Sequence, residues 1–422
     1  MEHRFPASNF LFLEGTPRVR IALLVFLFAF PAQAETIIRA SGRFTAETRL
    51  HMHTPSRPDQ RHHAWAVTVE PRIEVHGKCG LMFAVSPWVQ HHSDYDDTLR
   101  WDLREAYLGL HDDAWRMRLG YTRVSWGAMD ALRLIDIINQ RDRFDLLDGA
   151  EKLGQPMLAF TLYPGVGTLE LYALPYFREM PFPDRRGRLR PPLPVDTDRP
   201  LYESGSTHET IDLAARFLHT VGTLDFGLHL FQGRNRMPLL VPDDLIPPIL
   251  RDPGPSPDPM LVPLYEDIRQ VGMEAQWALS GWLLKCEAFH RSGFLERYAA
   301  FAGGVERTLY GWAGTRADLS LLAEYVYDER GTSSAAMTIF DNDLLLGFRL
   351  ARGGISDLTM EGGVLYDLDT GETIATLQAG RRIGSAGRID ADLWFLLNTP
   401  DDSVLHPFRR EDHLRVQWSW TF

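Results

Sequence analysis

The sequence predicts an all-β protein: a transmembrane antiparallel up-and-down β-barrel of about eighteen strands, with sixteen as the alternative count. Three observations carry this. From residue 36 to the end, short segments alternate strictly between apolar and polar residues. The connections between them alternate between short and long. The last segment ends on an aromatic row, Leu414, Val416, Trp418, Trp420 and Phe422, opposite His413, Arg415, Gln417, Ser419 and Thr421. Side chains change face at every residue of a strand. Each segment therefore has one oily and one wet side, as a wall between lipid and a water-filled lumen requires.

Composition is compatible with this and narrows little else. Apolar residues make up 45% and charged residues 24%, with a mean hydropathy of −0.20, because half of a barrel wall and all of its loops are polar. A net charge of −12 argues against a nucleic-acid partner. The two cysteines, Cys79 and Cys286, lie outside any CxxC pattern, which excludes a disulfide scaffold, and both read as incidental. Residues 21–30, IALLVFLFAF, follow Arg18 and Arg20 and precede Pro31-Ala32-Gln33-Ala34. That pattern predicts a secretory signal peptide over 1–34 with cleavage after Ala34, leaving 35–422 as the barrel. The apolar run is too short to span a bilayer, and no later run is long enough for a transmembrane helix. The expected location is the outer membrane of a Gram-negative bacterium.

In chain order the predicted strands are 36–51, 63–77, 80–92, 98–111, 115–123, 156–163, 168–177, 208–219, 223–233, 269–279, 282–292, 298–311, 317–328, 340–352, 357–368, 373–383, 388–397 and 412–422. Alternation is weakest in 298–311, where Gly303-Gly304 interrupts it. In 98–111 the parity switches near Arg104-Glu105, the mark of a β-bulge. Every second connection is a tight turn rich in glycine, such as Gly77-Lys78-Cys79-Gly80 or Gly384-Ser385-Ala386-Gly387. The others are longer, up to the proline-rich stretch 234–268, and 178–206 carries Arg185-Arg186-Gly187-Arg188 before its own prolines. Short turns on the periplasmic side and long loops outside are the barrel arrangement. Both termini then fall on the short-turn side.

The third long loop, 124–155, mixes charge with apolar side chains. Asp130, Arg133, Asp136, Arg141, Asp142, Arg143 and Asp145 are interleaved with Leu132, Leu134, Ile135, Ile137 and Ile138. So much apolar surface is not expected to remain in water. The loop is expected to fold into the lumen and narrow it; the alternative is an amphipathic helix capping the barrel outside. An eighteen-strand barrel is otherwise wide enough for water.

Around this loop the chain reads REAYLGL, then RLGYTRVSWGAMDALRLIDIINQRDRFD. The segment resembles a family of proteobacterial porin-like outer-membrane proteins of unassigned substrate, distantly akin to the alginate-export type of eighteen-stranded barrel. Glu105, Ala106, Tyr107, Gly120, Trp126, Gly127, Asp136, Asn139 and Asp142 match the family pattern. Thr122 stands where glutamine is expected and Gln140 where proline is. The match covers about forty residues of 104–145 and is architectural elsewhere.

Strand parity places Arg72, Glu74, Glu105, Tyr107, Arg116, Arg118, Glu170, Glu274, Lys285, Glu287, Glu324, Arg349, Arg382, Asp390, Asp392 and Arg415 on the lumen wall. Rings of wall charge set ion preference in such pores, but both signs occur here and the preference stays open. The function this implies is a channel for small polar or charged solutes, with loop 124–155 and its Asn139 forming the constriction. The alternative is the barrel component of an export assembly for a lipid or polysaccharide, working with a periplasmic partner. An enzyme barrel is disfavoured: there is no GxSxG, and His290 and Ser292 form no recognisable pair. The histidines near the first two outer loops (His51, His53, His62, His63, His91 and His92) match no ligand spacing, so no metal and no cofactor are expected. Expected partners are outer-membrane lipid and lipopolysaccharide, and the barrel-assembly machinery through Trp418, Trp420 and Phe422.

Overall fold

The computed structural model describes residues 36–94, 99–130, 132–142, 151–205, 207–247, 258–294, 296–331, 338, 340–354, 357–401 and 403–422. The expected signal peptide and the loop residues Arg143 and Asp145 lie outside the described residues.

Eighteen strands form one antiparallel sheet that closes on itself. They are β1 (Ile37–His51), β2 (His63–His76), β3 (Leu81–His92), β4 (Leu99–His111), β5 (Trp115–Thr122), β6 (Gln155–Leu162), β7 (Thr168–Leu174), β9 (Asp212–Val221), β10 (Leu224–Arg234), β13 (Asp267–Leu279), β14 (Trp282–Ser292), β15 (Arg297–Leu309), β16 (Ala317–Asp328), β17 (Asn342–Arg352), β18 (Leu358–Asp367), β19 (Thr373–Ile383), β20 (Gly387–Asn398) and β21 (His413–Thr421). Each pairs with its neighbours in the chain. Closure comes from β21 against β1, in register from Arg43↔Thr421 to His51↔His413. Phe422 and Gly42 extend the seam with reciprocal backbone hydrogen bonds of 2.9 and 3.0 Å. A side chain at position 42 would collide with the Phe422 ring, so the seam needs glycine there. Three further strands, β8 (Leu201–Tyr202), β11 (Leu239–Pro242) and β12 (Leu261–Tyr265), make a separate small sheet in the long loops.

The alternation translates directly into sidedness. Trp65, Trp101, Leu119, Leu171, Leu230, Val271, Trp282, Leu321, Val364, Ile389, Trp418 and Trp420 stand exposed on the outer surface. Closing the sheet leaves no edge strand among the described residues of the wall.

Each of the eighteen predicted segments is a strand. The bulge is also present: Ser86 pairs with Glu105 and Pro87 with Leu103, leaving Arg104 as the extra residue. Arg104 and Glu105 consequently both turn inward. A second bulge leaves Leu397 extra, between Thr373↔Asn398 and Ile374↔Leu396. Two bounds differ from expectation by three residues or more. The seventh strand stops at Leu174 because Pro175 has no N–H to continue the ladder. The eighth wall strand starts at Asp212 rather than at residue 208, because its carboxylate is occupied by the Arg234 amide (3.1 Å) and the Arg236 guanidinium (2.7 Å), which fix the strand end. The loop strands β8, β11 and β12 were not expected, being too short to show a period.

Candidate functional site: the inserted loop and the lumen it leaves

The described residues between β5 and β6 run inside the barrel. Their entry and exit are tied by Asn139, whose side-chain oxygen accepts the Val124 N–H (2.8 Å). The Asn139 amide donates to the carbonyls of Thr122 and Leu153, both at 2.9 Å. The β4 bulge serves the exit. Arg104 donates to the Lys152 carbonyl, Asp102 accepts the Gly154 N–H (3.0 Å), and a Cβ at Gly154 would lie 1.9 Å from the Leu103 oxygen. Asp142 takes a bidentate pair from Arg100, two contacts of 2.8 Å, and Asp136 is paired with Lys152 and Arg141.

The far stretch of the loop is held by carboxylates of the wall. Glu287 on β14 accepts the N–H groups of Ala128 (2.6 Å), Met129 (2.9 Å) and Ile135 (3.3 Å). Glu274 on β13 accepts Gly127 (3.2 Å), and Glu324 on β16 accepts Asp130 (2.9 Å). Asp130 itself bridges Lys285 on β14 and Arg349 on β17, the latter at 3.2 Å. Gly127 has φ +99°, and a Cβ there would sit 2.6 Å from the Glu287 carboxylate. Only glycine lets the backbone come this close.

Apolar packing completes the docking. Trp126 is fully buried, with its ring 5.9 Å from Tyr172, 5.3 Å from His229 and under the Arg216 guanidinium at 5.6 Å. Trp126, Ile135, Ile137 and Ile138 form one cluster with the inward residues Met157, Ala159, Leu174, Ala214, Phe231 and Ile268. Met129 packs with Ala302 and Val326, and Leu134 reaches Phe289 and Tyr298. Arg133 is exposed.

A cavity of about 660 Å³ remains beside the loop, lined by Gly127, Ala128, Arg216 and Glu274, and a further free stretch of lumen lies on the other side. A cavity of about 910 Å³ runs along β19, β20, β21 and β1 to β4, from Arg188 and Leu189 at the long-loop end to the Ser385–Gly387 turn at the short-turn end. Its wall carries Arg43, Glu47, Arg49, Glu70, Arg382, Arg388, Asp390, Asp392 and Arg415, with Gln417, Ser419 and Thr421 below. A neighbouring cavity of about 510 Å³ shares Gln378, Asp392 and Arg415 and extends to Arg349 and Asp130. Most wall charges are paired within the wall: Arg388 with Asp390 and Arg415 with Asp392, both 2.8 Å, and Arg49 with Glu47 at 3.5 Å.

Of the expected wall residues, Glu105 pairs with Arg72 (2.6 Å), Tyr107 lies 5.7 Å from the Arg118 guanidinium, and Arg382 pairs with Asp357 (3.1 Å). Arg116 is exposed on β5 opposite Thr161. Trp418, Trp420 and Phe422 lie on the outer surface, Trp418 edge-on to Phe44 at 5.8 Å. Sequence reasoning missed Arg43, Glu47 and Arg49; the odd positions of β1 carry them on one face and would have revealed them.

The histidines disperse to separate partners: His51 to Glu411 (3.2 Å), His53 to Asp412 (3.2 Å) and His91 to the Trp65 ring. Among the described residues the side chains that could hold a metal ion are Asp341, Asp343 and Asp367, buried at the outer ends of β17 and β18, with carboxylate oxygens within 4.8 Å of one another.

No family model matches this chain, and no curated protein does. Solved structures of porins do. Two mutant forms of the Rhodopseudomonas blastica porin align with TM-scores of 0.45 at 10% and 9% identity, each over 92% of this chain and 100% of the other. A structure described as showing asymmetric conductivity of engineered proteins aligns with the same TM-score, identity and coverage as the first of these.

Proposed function

We propose that the protein is an outer-membrane, porin-like channel through which small polar or charged solutes pass along the half of the lumen that the inserted loop leaves free. The observation that carries this reading is the charged cavity of about 910 Å³ reaching from the outer loops to a periplasmic turn. A lining of alternating guanidinium and carboxylate groups replaces the hydration of a polar solute and offers an apolar one nothing. Loop 124–155 is the constriction in this account, because its described residues enter the opposite half of the lumen and are held there by buried contacts. Mature protein is expected to lack residues 1–34, and the Trp418, Trp420 and Phe422 row to engage both lipid and the machinery that inserts barrels. The motif resemblance over 104–145 agrees with an outer-membrane barrel and does not choose a cargo.

The test is electrical. The mature protein, reconstituted in planar bilayers, should conduct ions, and deletion of 128–148 should raise the single-channel conductance. Folded barrels with no current in either form would remove the channel reading. Equal conductance in both would remove the constriction.

A further inference from the structure

The loop between β7 and β9 leaves the wall at the seventh and eighth strands of the ring, yet its tip contacts the sixteenth and seventeenth strands and the connections that flank the eighteenth and the first. These positions are half the ring apart, so the loop crosses the outer mouth. At the tip, Arg188 is 3% exposed and its guanidinium is fully engaged. It meets the two Glu411 oxygens at 2.7 and 3.1 Å and the carbonyls of His53 and Arg410, both at 3.0 Å. His51 approaches the same carboxylate at 3.2 Å. Gln60 donates to the carbonyls of Gly187 (3.1 Å) and Arg188 (3.3 Å), and Arg190 pairs with Asp59 (3.0 Å). Leu189 is buried among Ile374, Leu396, Leu405 and Phe408.

The tip is carried on a stiff arm. Pro191, Pro192 and Pro194 follow it and fix the backbone in an extended arm. The arm is backed by Leu261, whose N–H donates to the Pro194 carbonyl (2.8 Å) and whose carbonyl accepts Asp196 N–H (2.8 Å). Gly187, Arg188 and Leu189 form the outer end of the charged cavity. A strap across a barrel mouth, joined to the far side through polar side chains and one buried leucine and continuous with no strand of the wall, has the geometry of a closure.

We propose that residues 186–190 are a latch that shuts the outer mouth of the pore, with Arg188–Glu411 as its catch. This rests on the channel reading above. The latch and the constriction are separate: the inserted loop narrows the middle of the lumen, and the strap closes its outer end.

Breaking a buried ion pair from one side is strongly unfavourable to the docked state, so Arg188→Glu should raise the open-to-closed ratio by on the order of a hundredfold. The measurement is single-channel recording of the mature full chain, with heat-modifiable migration on gels confirming a folded barrel. Long closures in the unaltered protein, their loss in Arg188→Glu and their return in Arg188→Glu with Glu411→Arg would establish the latch. If Arg188→Glu does not fold, Asp59→Ala with Gln60→Ala, which loosens the tip from the wall side, should shorten the closures. Unchanged dwell times in whichever folded variant is recorded overturn the latch while leaving the channel intact. Absence of current from folded protein in every form overturns both, and so identifies the channel reading as the failure.

Discussion

From β6 to β16 the inward row includes Met157, Ala159, Tyr172, Ala214, Phe231, Ile268, Phe289, Ala300, Ala302 and Val326; from β19 through β21 to β3 it includes Gln378, Arg382, Arg388, Asp390, Asp392, Arg415, Gln417, Arg43, Glu47, Arg49, Glu70 and Gln90. One sheet thus presents two different insides. The first is covered by its own chain and behaves as a packed core, where small side chains leave room for an inserted backbone. The second faces water and keeps its charges in pairs. What separates them is whether a loop lies on the wall, and three carboxylates on the covered side, Glu274, Glu287 and Glu324, hold that loop by its N–H groups.

The contrast breaks most completely at Glu287. Replacing it with leucine leaves three buried N–H groups without an acceptor, at a cost of about 3–5 kcal/mol to the docked loop. Glu287→Leu should therefore release the loop, raise single-channel conductance toward that of the 128–148 deletion and open the loop to protease. Conductance equal to that of the unaltered protein would show that the apolar contacts hold the loop alone. Gly127→Ala tests the same contact more gently. Its φ of +99° and the 2.6 Å approach to Glu287 predict a loss of about 1–3 kcal/mol and a partial rise in conductance.

The same contrast explains what the sequence made legible. All eighteen strands could be read because the outward row is apolar around the whole ring. Alternation was weakest in β15, where Ala300, Ala302 and Gly304 make the inward row apolar as well, since Met129 and Leu134 of the loop pack over that part of the wall. The apolar content of 124–155 foretold that the loop would seek cover. Its partners could not be foretold, because Glu274, Glu287 and Glu324 read as ordinary wetted wall charges until the loop is laid against them. The strap across the mouth was invisible for a related reason. Arg188 and Glu411 are 223 residues apart, and nothing local marks either as half of a buried pair.

On the open side, substitutions should change selectivity and leave the loop in place. Arg415→Gln frees the Asp392 carboxylate from its 2.8 Å partner, so the reversal potential in a salt gradient should move toward cations. Asp392→Asn should move it the other way. A shift in the same direction for both, or a conductance rise like that of Glu287→Leu, would mean that the two sides are not independent.

The smallest expected effect is on pH dependence at the outer mouth. Burial pushes the Asp94 carboxyl up to about 6, while its hydrogen bond with Ser93 and the charges of Arg49, Arg61 and Arg188 hold it from rising further. The raised value means that the folded state binds this proton more tightly than the unfolded chain does. Its contribution to stability therefore grows as pH falls through about 6 and is complete below the ordinary value of 3.8. Asp94→Asn removes that proton from the balance. Urea midpoints of the refolded barrel, compared at pH about 7.5 and about 5, should rise less on acidification in Asp94→Asn than in the unaltered protein. Equal changes would place the pH response elsewhere. Because Arg188 is among the charges acting on Asp94, Arg188→Glu should shift the transition to higher pH, coupling this group to the strap rather than to the inserted loop.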